Sequence, residues 1–260
     1  MSLVEDGLSP ESEVIHGEVL GGRLLLVRLE RAEKRNALTR PLIEQLSAVL
    51  VRAADDAAVR GIVLAGAGPS FCAGVDLHEF ATGTPETGRA LINALASLCA
   101  TARRHSKPIA CAIQGHCLGG ALELAACCDV RVCAPDAQLG MPEVFLGIPS
   151  VIDAVMLGHV IGVGRARELL LTGDTISGQT ACEWGFANRL APADNVVEVA
   201  CELLSHITRH DPEVIAAQKR LHQDWLDLGY EAAVERSKQA LLDAFRAGRP
   251  QRLVAQRPRR

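Results

Sequence analysis

Two apolar runs between residues 14 and 29 flank Gly21 and Gly22, and a Gly-Gly pair between strand-like runs predicts a β-hairpin. Thr39 precedes apolar positions at Leu42, Ile43, Leu46, Val49, Leu50 and Ala53. That spacing, close to 3.6 residues, predicts a capped helix with one face laid on a sheet. The short runs 61–65 (GIVLA) and 109–113 (IACAI) are continuously apolar, which predicts buried strands. Between them, Thr84 followed by Pro85 predicts an N-cap and a helix running to about Arg104. Gly119 and Gly120 open another apolar helix ending near Asp129, and 129–134 (DVRVCA) returns as strand. From about residue 193 the alternation gives way to amphipathic helices at roughly 193–207, 211–228 and 231–247. The chain therefore divides into an α/β core, 1–192, and a helical region, 193–260. The arginine- and proline-rich end, AGRPQRLVAQRPRR, reads as a solvated tail.

With 260 residues, 48% of them hydrophobic and 22% charged, the chain can bury a large core. A formal net charge of −4 removes the overall basic balance of a non-specific nucleic-acid binder. The nine cysteines lie mostly in apolar runs and show neither a CxxC pair nor zinc-ligand spacing, so they read as reduced, buried thiols and imply no metal. The N-terminal stretch is acidic and lacks an apolar signal region, and no run reaches the roughly 18 apolar residues of a membrane span. A cytoplasmic protein is the expectation.

Three segments carry candidate chemistry. The turn 69–77 (PSFCAGVDL) leaves a buried strand, and Gly74 permits a tight backbone that aims N–H groups into a cleft. Read alone, it is also an ordinary loop. Segment 114–129 (QGHCLGGALELAACCD) leads through the glycine pair into a helix, whose N-terminal N–H groups suit an anion or a developing oxyanion. Within this segment Glu123 reads as a first-turn acid facing the helix dipole or as a buried carboxyl needing a partner. Segment 139–149 (LGMPEVFLGIP) isolates Glu143 among apolar residues, and two such acids make an acid/base pair if the fold brings them together.

In this order the segments resemble the enoyl-CoA hydratase/isomerase (crotonase) superfamily. FCAGVDL is similar to its first oxyanion segment, GHCLGGALELAACCD to its second with the first catalytic glutamate, and MPEVFLGIP to the region carrying the second glutamate. EKRNAL, over 33–38, resembles the CoA-binding turn, and LLLTGDTISGQTACEWGFANRL a later helix-turn segment. The resemblance implies a crotonase (ClpP-like) spiral of ββα units with C-terminal helices that build homotrimers, commonly paired into hexamers. It implies an oxyanion hole at the N–H groups of Val75 and Gly120, Glu123 as the base activating water, and Glu143 as the acid toward the α-carbon. CoA contacts are implied at Lys34, Arg35, Ala37, Cys72, Ala73, Asp76 and Gly119. The implied reaction is reversible addition of water to a trans-2-enoyl-CoA, with no cofactor beyond the CoA of the substrate and no nucleic-acid or membrane partner. An enoyl-CoA isomerase and a non-catalytic acyl-CoA-binding assembly protein are the competing readings.

The chain departs from the family where a glycine-rich P-G-x-G-G turn is common, having Pro149, Ser150, Val151, Ile152 and Asp153 instead. The acyl pocket wall is expected to differ there. Ser150 and Asp153 fit a capping box and predict a helix start. His78 stands where the family often has lysine, and His116, just before the glycine pair, reads as structural.

Overall fold

The computed structural model describes residues 15–21 and 23–255. Val14, Gly22, the acidic N-terminal stretch and the last residues of the arginine-rich end lie outside the described residues. The hairpin forms as predicted: β1 (Ile15–Leu20) pairs antiparallel with β2 (Leu24–Leu29), with Leu20 opposite Leu24. The chain continues through β3 (Gly61–Gly66), β4 (Ile109–Ile113), β5 (His116–Leu118), β6 (Val130–Cys133), β7 (Gln138–Gly140), β8 (Thr175–Ser177) and β9 (Arg189–Leu190). One sheet has the order β1-β2-β3-β4-β6-β9 and is parallel beyond the hairpin; a smaller one has the order β5-β7-β8. Sequence patterning found the large sheet except β9, which is two residues long. It missed the small one, whose three-residue strands are too short to show a period.

Parallel strands need crossovers, and helices supply them. The helices are α1 (Arg40–Asp55), α2 (Leu77–Ala81), α3 (Pro85–Arg104), α4 (Gly120–Cys127), α5 (Val155–Ile161), α6 (Val163–Thr172), α7 (Gly178–Glu183), α8 (Val196–Thr208), α9 (Pro212–Asp227), α10 (Tyr230–Arg246) and α11 (Arg249–Ala255). Thr39 caps α1 by accepting from the Leu42 N–H, and the residues α1 buries are the six its periodicity marked. Thr84 caps α3, with Pro85 in the first turn. The part of the C-terminal stretch read as a solvated tail is helical in α11, where Arg249 pairs with Glu213. No described helix is long and apolar enough to cross a membrane.

Helix α8 lies on the face of β3, β4 and β6. Val196, Ala200 and Leu204 are buried there, and a methyl added to Gly61 would stand 3.5 Å from Leu204 Cδ1. Farther along the chain, buried Lys219 of α9 forms an ion pair with Asp129, whose carboxylate also accepts from the Ile109 N–H at 2.7 Å. All nine cysteines are free, and seven of them are buried. Truncating Leu204 to Ala leaves a cavity against the sheet, and a loss of about 2–5 kcal/mol is expected, read as a lower urea midpoint; a loss under about 1 kcal/mol would show α8 to be loosely docked.

Candidate active site

Three chain segments run side by side in one direction. Cys72 bridges Cys117 in parallel register, with the Cys72 N–H donating to His116 O at 2.9 Å and the Leu118 N–H to Cys72 O at 3.2 Å. β5 in turn runs parallel to β7, with Leu118 opposite Gly140. All three therefore leave this small sheet at the same end. The first continues into Gly74 and Val75, the second into Gly119, Gly120 and α4, and the third into a 3₁₀ turn, Pro142–Leu146, which carries Glu143. Register brings together what the sequence holds apart.

At Val75 the chain bridges Leu38. The Leu38 N–H donates to Gly74 O (2.8 Å) and the Asp76 N–H to Leu38 O (2.9 Å). In such a bridge the intervening residue turns its own N–H to the opposite side. Gly120 is the first residue of α4, where N–H groups have no helical partner. Neither the Val75 nor the Gly120 N–H has an acceptor among the described residues. The turns fit only without side chains: a Cβ on Gly74 (φ +90°) would stand 2.6 Å from Leu118 O, and one on Gly119 (φ +54°) 2.6 Å from a carboxylate oxygen of Glu143.

Ala73, Val75, Gly119, Gly120, Glu123 and Glu143 all line one cleft of about 620 Å³, open mouth included. Its other walls are apolar, from Leu77, Phe80, Ile92, Leu95 and the stretch Leu146 to Ile152, a size and lining suited to a small-molecule site. Glu123 is only 3% exposed; its Oε1 accepts from the Ala154 N–H at 3.1 Å. Burial, reinforced by the neighbouring Glu143 and Asp153 charges and opposed by that N–H, pushes its pKa from about 4.5 up to about 8. Glu143 accepts from the Ser150 hydroxyl at 3.1 Å.

The remaining sites flank the cleft and are not among its lining residues. Lys34 and Arg35 are exposed on the 3₁₀ turn Ala32–Lys34 and the residue after it, and Arg35 O accepts from the Ala73 N–H at 2.9 Å, which joins this turn to the cleft wall. Ala37 O accepts from Arg31 at 2.6 Å. The Cys72 thiol is buried against Asn36 O, and burial pushes its pKa up to about 12, so its side chain faces the core. Asp76 caps α2 through the His78 and Glu79 N–H groups; burial raises its pKa, but these donors and Arg31 together hold it below the ordinary carboxylate value. His116 Nδ1 lies 3.0 Å from the Ser70 hydroxyl.

Several residues of the site carry no local signal in the sequence. Asn36, fully buried with φ +57°, donates to Ala67 O and Ser70 O and accepts from the Arg31 N–H, fastening the 33–38 turn to the 67–76 loop. Arg31 lies 3.4 Å from the Asp76 carboxylate. The capping box expected at Ser150 and Asp153 is absent: a helical turn does begin at Ile152, but Ser150 turns to Glu143 and Asp153 to Arg103 at 3.5 Å. Charged partners outside the turn outcompete the local cap. Ile152 itself has φ +56°, a left-handed conformation disfavoured for a β-branched residue. Such strain costs about 1–3 kcal/mol and persists only where its surroundings hold it.

Asp153 also stands with Cys99 and Cys127, their ligand-type atoms within 4.8 Å of one another. The Arg103 guanidinium beside Asp153 supplies the positive charge a metal would bring, so this cluster is satisfied as an ion pair with two thiols.

The sequence profile described as Enoyl-CoA hydratase/isomerase matches residues 21–248. The chain belongs to the enoyl-CoA hydratase/isomerase family. It is 35% identical over 231 residues to the mevalonyl-coenzyme A hydratase of Aspergillus fumigatus, covering 86% of this chain and 82% of that protein. With the 2,3-dehydroadipyl-CoA hydratase of Escherichia coli it shares 33% over 218 residues, covering 84% and 85%. Among solved structures, an enoyl-CoA hydratase from Bacillus anthracis superimposes with a TM-score of 0.84 at 30% identity, covering 90% of this chain and 96% of that one. The α/β spiral with C-terminal helices is the crotonase fold of this family.

Glu123 gives the protein a pH signature. Below about pH 4.5 both folded and unfolded states hold its proton, so it adds no pH dependence. Between about 4.5 and about 8 the unfolded chain releases that proton and the folded chain keeps it, so stability falls as pH rises, by up to about 1.4 kcal/mol per pH unit. Urea midpoints measured from pH 5 to 8 should therefore decline more steeply for the wild type than for Glu123→Gln, and parallel curves would refute the buried, protonated state.

Proposed function

We propose that the protein is an enoyl-CoA hydratase, adding water reversibly across a trans-2-enoyl-CoA to give the 3-hydroxyacyl-CoA. The observation that carries the reading is one apolar cleft lined by Glu123, Glu143, Val75 and Gly120, the last two with main-chain N–H groups that have no acceptor among the described residues. A thioester carbonyl oxygen held by the Val75 and Gly120 N–H groups gathers the negative charge of the enolate, and a donor of this kind is worth about 3 kcal/mol. Glu123 takes a proton from the attacking water, and Glu143 delivers one to the α-carbon. Reversal of the reaction exchanges these tasks. Only water and protons move, so no cofactor is needed beyond the CoA that the substrate brings. The turn at Lys34 and Arg35 offers its cations to the CoA phosphates, joined to the cleft wall through Ala73.

No lysine, arginine or histidine lines the cleft among the described residues. A charged acyl terminus would meet only Glu123 and Glu143 there. The acyl chain accordingly carries no terminal carboxylate. Helix α10 also turns Leu241, Leu242 and Phe245 to the outside, each about half exposed, which supports assembly of the chain into homotrimers or hexamers.

Purified protein should bleach the conjugated thioester absorbance of crotonyl-CoA, and Glu123→Gln and Glu143→Gln should each lower kcat by at least about 100-fold. In the wild type, kcat/KM for hydration should rise between pH 7 and 8.5 as the free enzyme's Glu123 ionises. A fall over that interval would assign the water to Glu143 instead. Migration of a double bond from a 3-enoyl-CoA without hydration would favour an isomerase, and acyl-CoA binding without turnover a binding protein. Light scattering should give the mass of three or six chains, against which a monomer would count.

A further inference from the structure

The stretch 150–154 touches both carboxyl groups at once. At one end the Ser150 hydroxyl donates to Glu143 Oε2 at 3.1 Å; at the other the Ala154 N–H donates to Glu123 Oε1 at 3.1 Å. Ile152 is midway between these anchors, half-buried against the core, and lines the cleft. It is also strained, with φ +56°, a conformation glycine adopts without cost and a β-branched residue resists. On its C-terminal side the hydrogen bond from Ala154 to Glu123 and the ion pair of Arg103 with Asp153 hold that backbone in place. A glycine would satisfy the same turn with no strain and a wider cleft. The bulk of the side chain is therefore the feature that the strained position retains.

We infer that Ile152 is a specificity-determining residue that closes the cleft wall between the two carboxyl groups, restricting the enzyme to acyl chains with no second substituent at the β-carbon. One glutamate takes a proton from the water that attacks the β-carbon and the other gives a proton to the α-carbon, so the reacting carbons lie along the wall that runs between them. A β-methyl group on the substrate competes with the isoleucine side chain for this space. Shape complementarity at a single wall discriminates by the fit of one or two methyl groups, a range of tens to hundreds of fold.

The inference rests on the hydratase reading for its kinetic arm only. Wild-type kcat/KM should favour crotonyl-CoA over 3-methylcrotonyl-CoA, and Ile152→Gly should raise the relative rate for the methylated substrate at least tenfold. Ile152→Val, which keeps the branch and most of the volume, should stay within about threefold of the wild-type ratio. The binding arm uses saturated thioesters in calorimetry: wild type should hold butyryl-CoA more tightly than 3-methylbutyryl-CoA, and Ile152→Gly should narrow that gap. Equal handling of both substrates or both ligands by the wild type overturns the inference. So does a Gly variant whose ratios stay within twofold of wild type, or one that weakens both ligands alike. If no enoyl-CoA is turned over while the binding gap narrows in Ile152→Gly, the hydratase reading fails and the role of Ile152 stands.

Discussion

The cleft depends on how closely the main chain at Gly74 lies against that at Leu118. With a carbonyl oxygen 2.6 Å from where a Cβ would sit, this approach is open only to glycine, and the positive φ at the same residue points to the same requirement. From that contact the geometry follows in order. Cys72 and Cys117 pair in parallel, Leu38 occupies the neighbours of Val75, and the Val75 N–H is left without an acceptor among the described residues. Asn36 and Arg31 hold the loop from its far side, with all of the Asn36 side-chain hydrogen bonds made to main chain. Main-chain donors fixed this way need little reorganisation to meet a developing charge, which is the condition for electrostatic stabilisation.

Electrostatics then separates the two acids. Glu123 stands on a helix whose residues are all buried, and its carboxyl receives a single main-chain N–H, too little to offset desolvation beside two other acidic groups. Glu143 stands on a half-exposed 3₁₀ turn with a hydroxyl donor. Two carboxyl groups in such unlike surroundings are suited to the separate acid and base tasks proposed for them.

Helices with a long apolar stripe were fully legible in the sequence: α1 buries the six positions its spacing marked, and α3 starts at its Thr-Pro cap. The parallel strands β3 and β4 showed as unbroken apolar runs because both their faces are covered. What remained hidden is long-range. β5, β7 and β8 are too short to carry a pattern, yet their register is what sets α4 beside the Glu143 turn. Ser150 and Asp153 matched a cap by spacing and were drawn off by other partners, Ser150 by Glu143 on the preceding 3₁₀ turn and Asp153 by Arg103 of α3. Asn36 sat inside a recognisable motif, but its importance comes from carbonyls more than thirty residues away.

A turn fastened to both acids leaves its stretch of chain with a fixed reach. Consecutive residues span at most about 3.6 Å of extended chain, so one amino acid inserted or deleted between Ser150 and Ala154 would displace one hydrogen-bond donor by about the length of the bond it makes. The Ser150 hydroxyl and the Asp153 carboxylate fix two of its side chains. Its length is fixed with them, because an added or lost residue pulls one donor away from its glutamate.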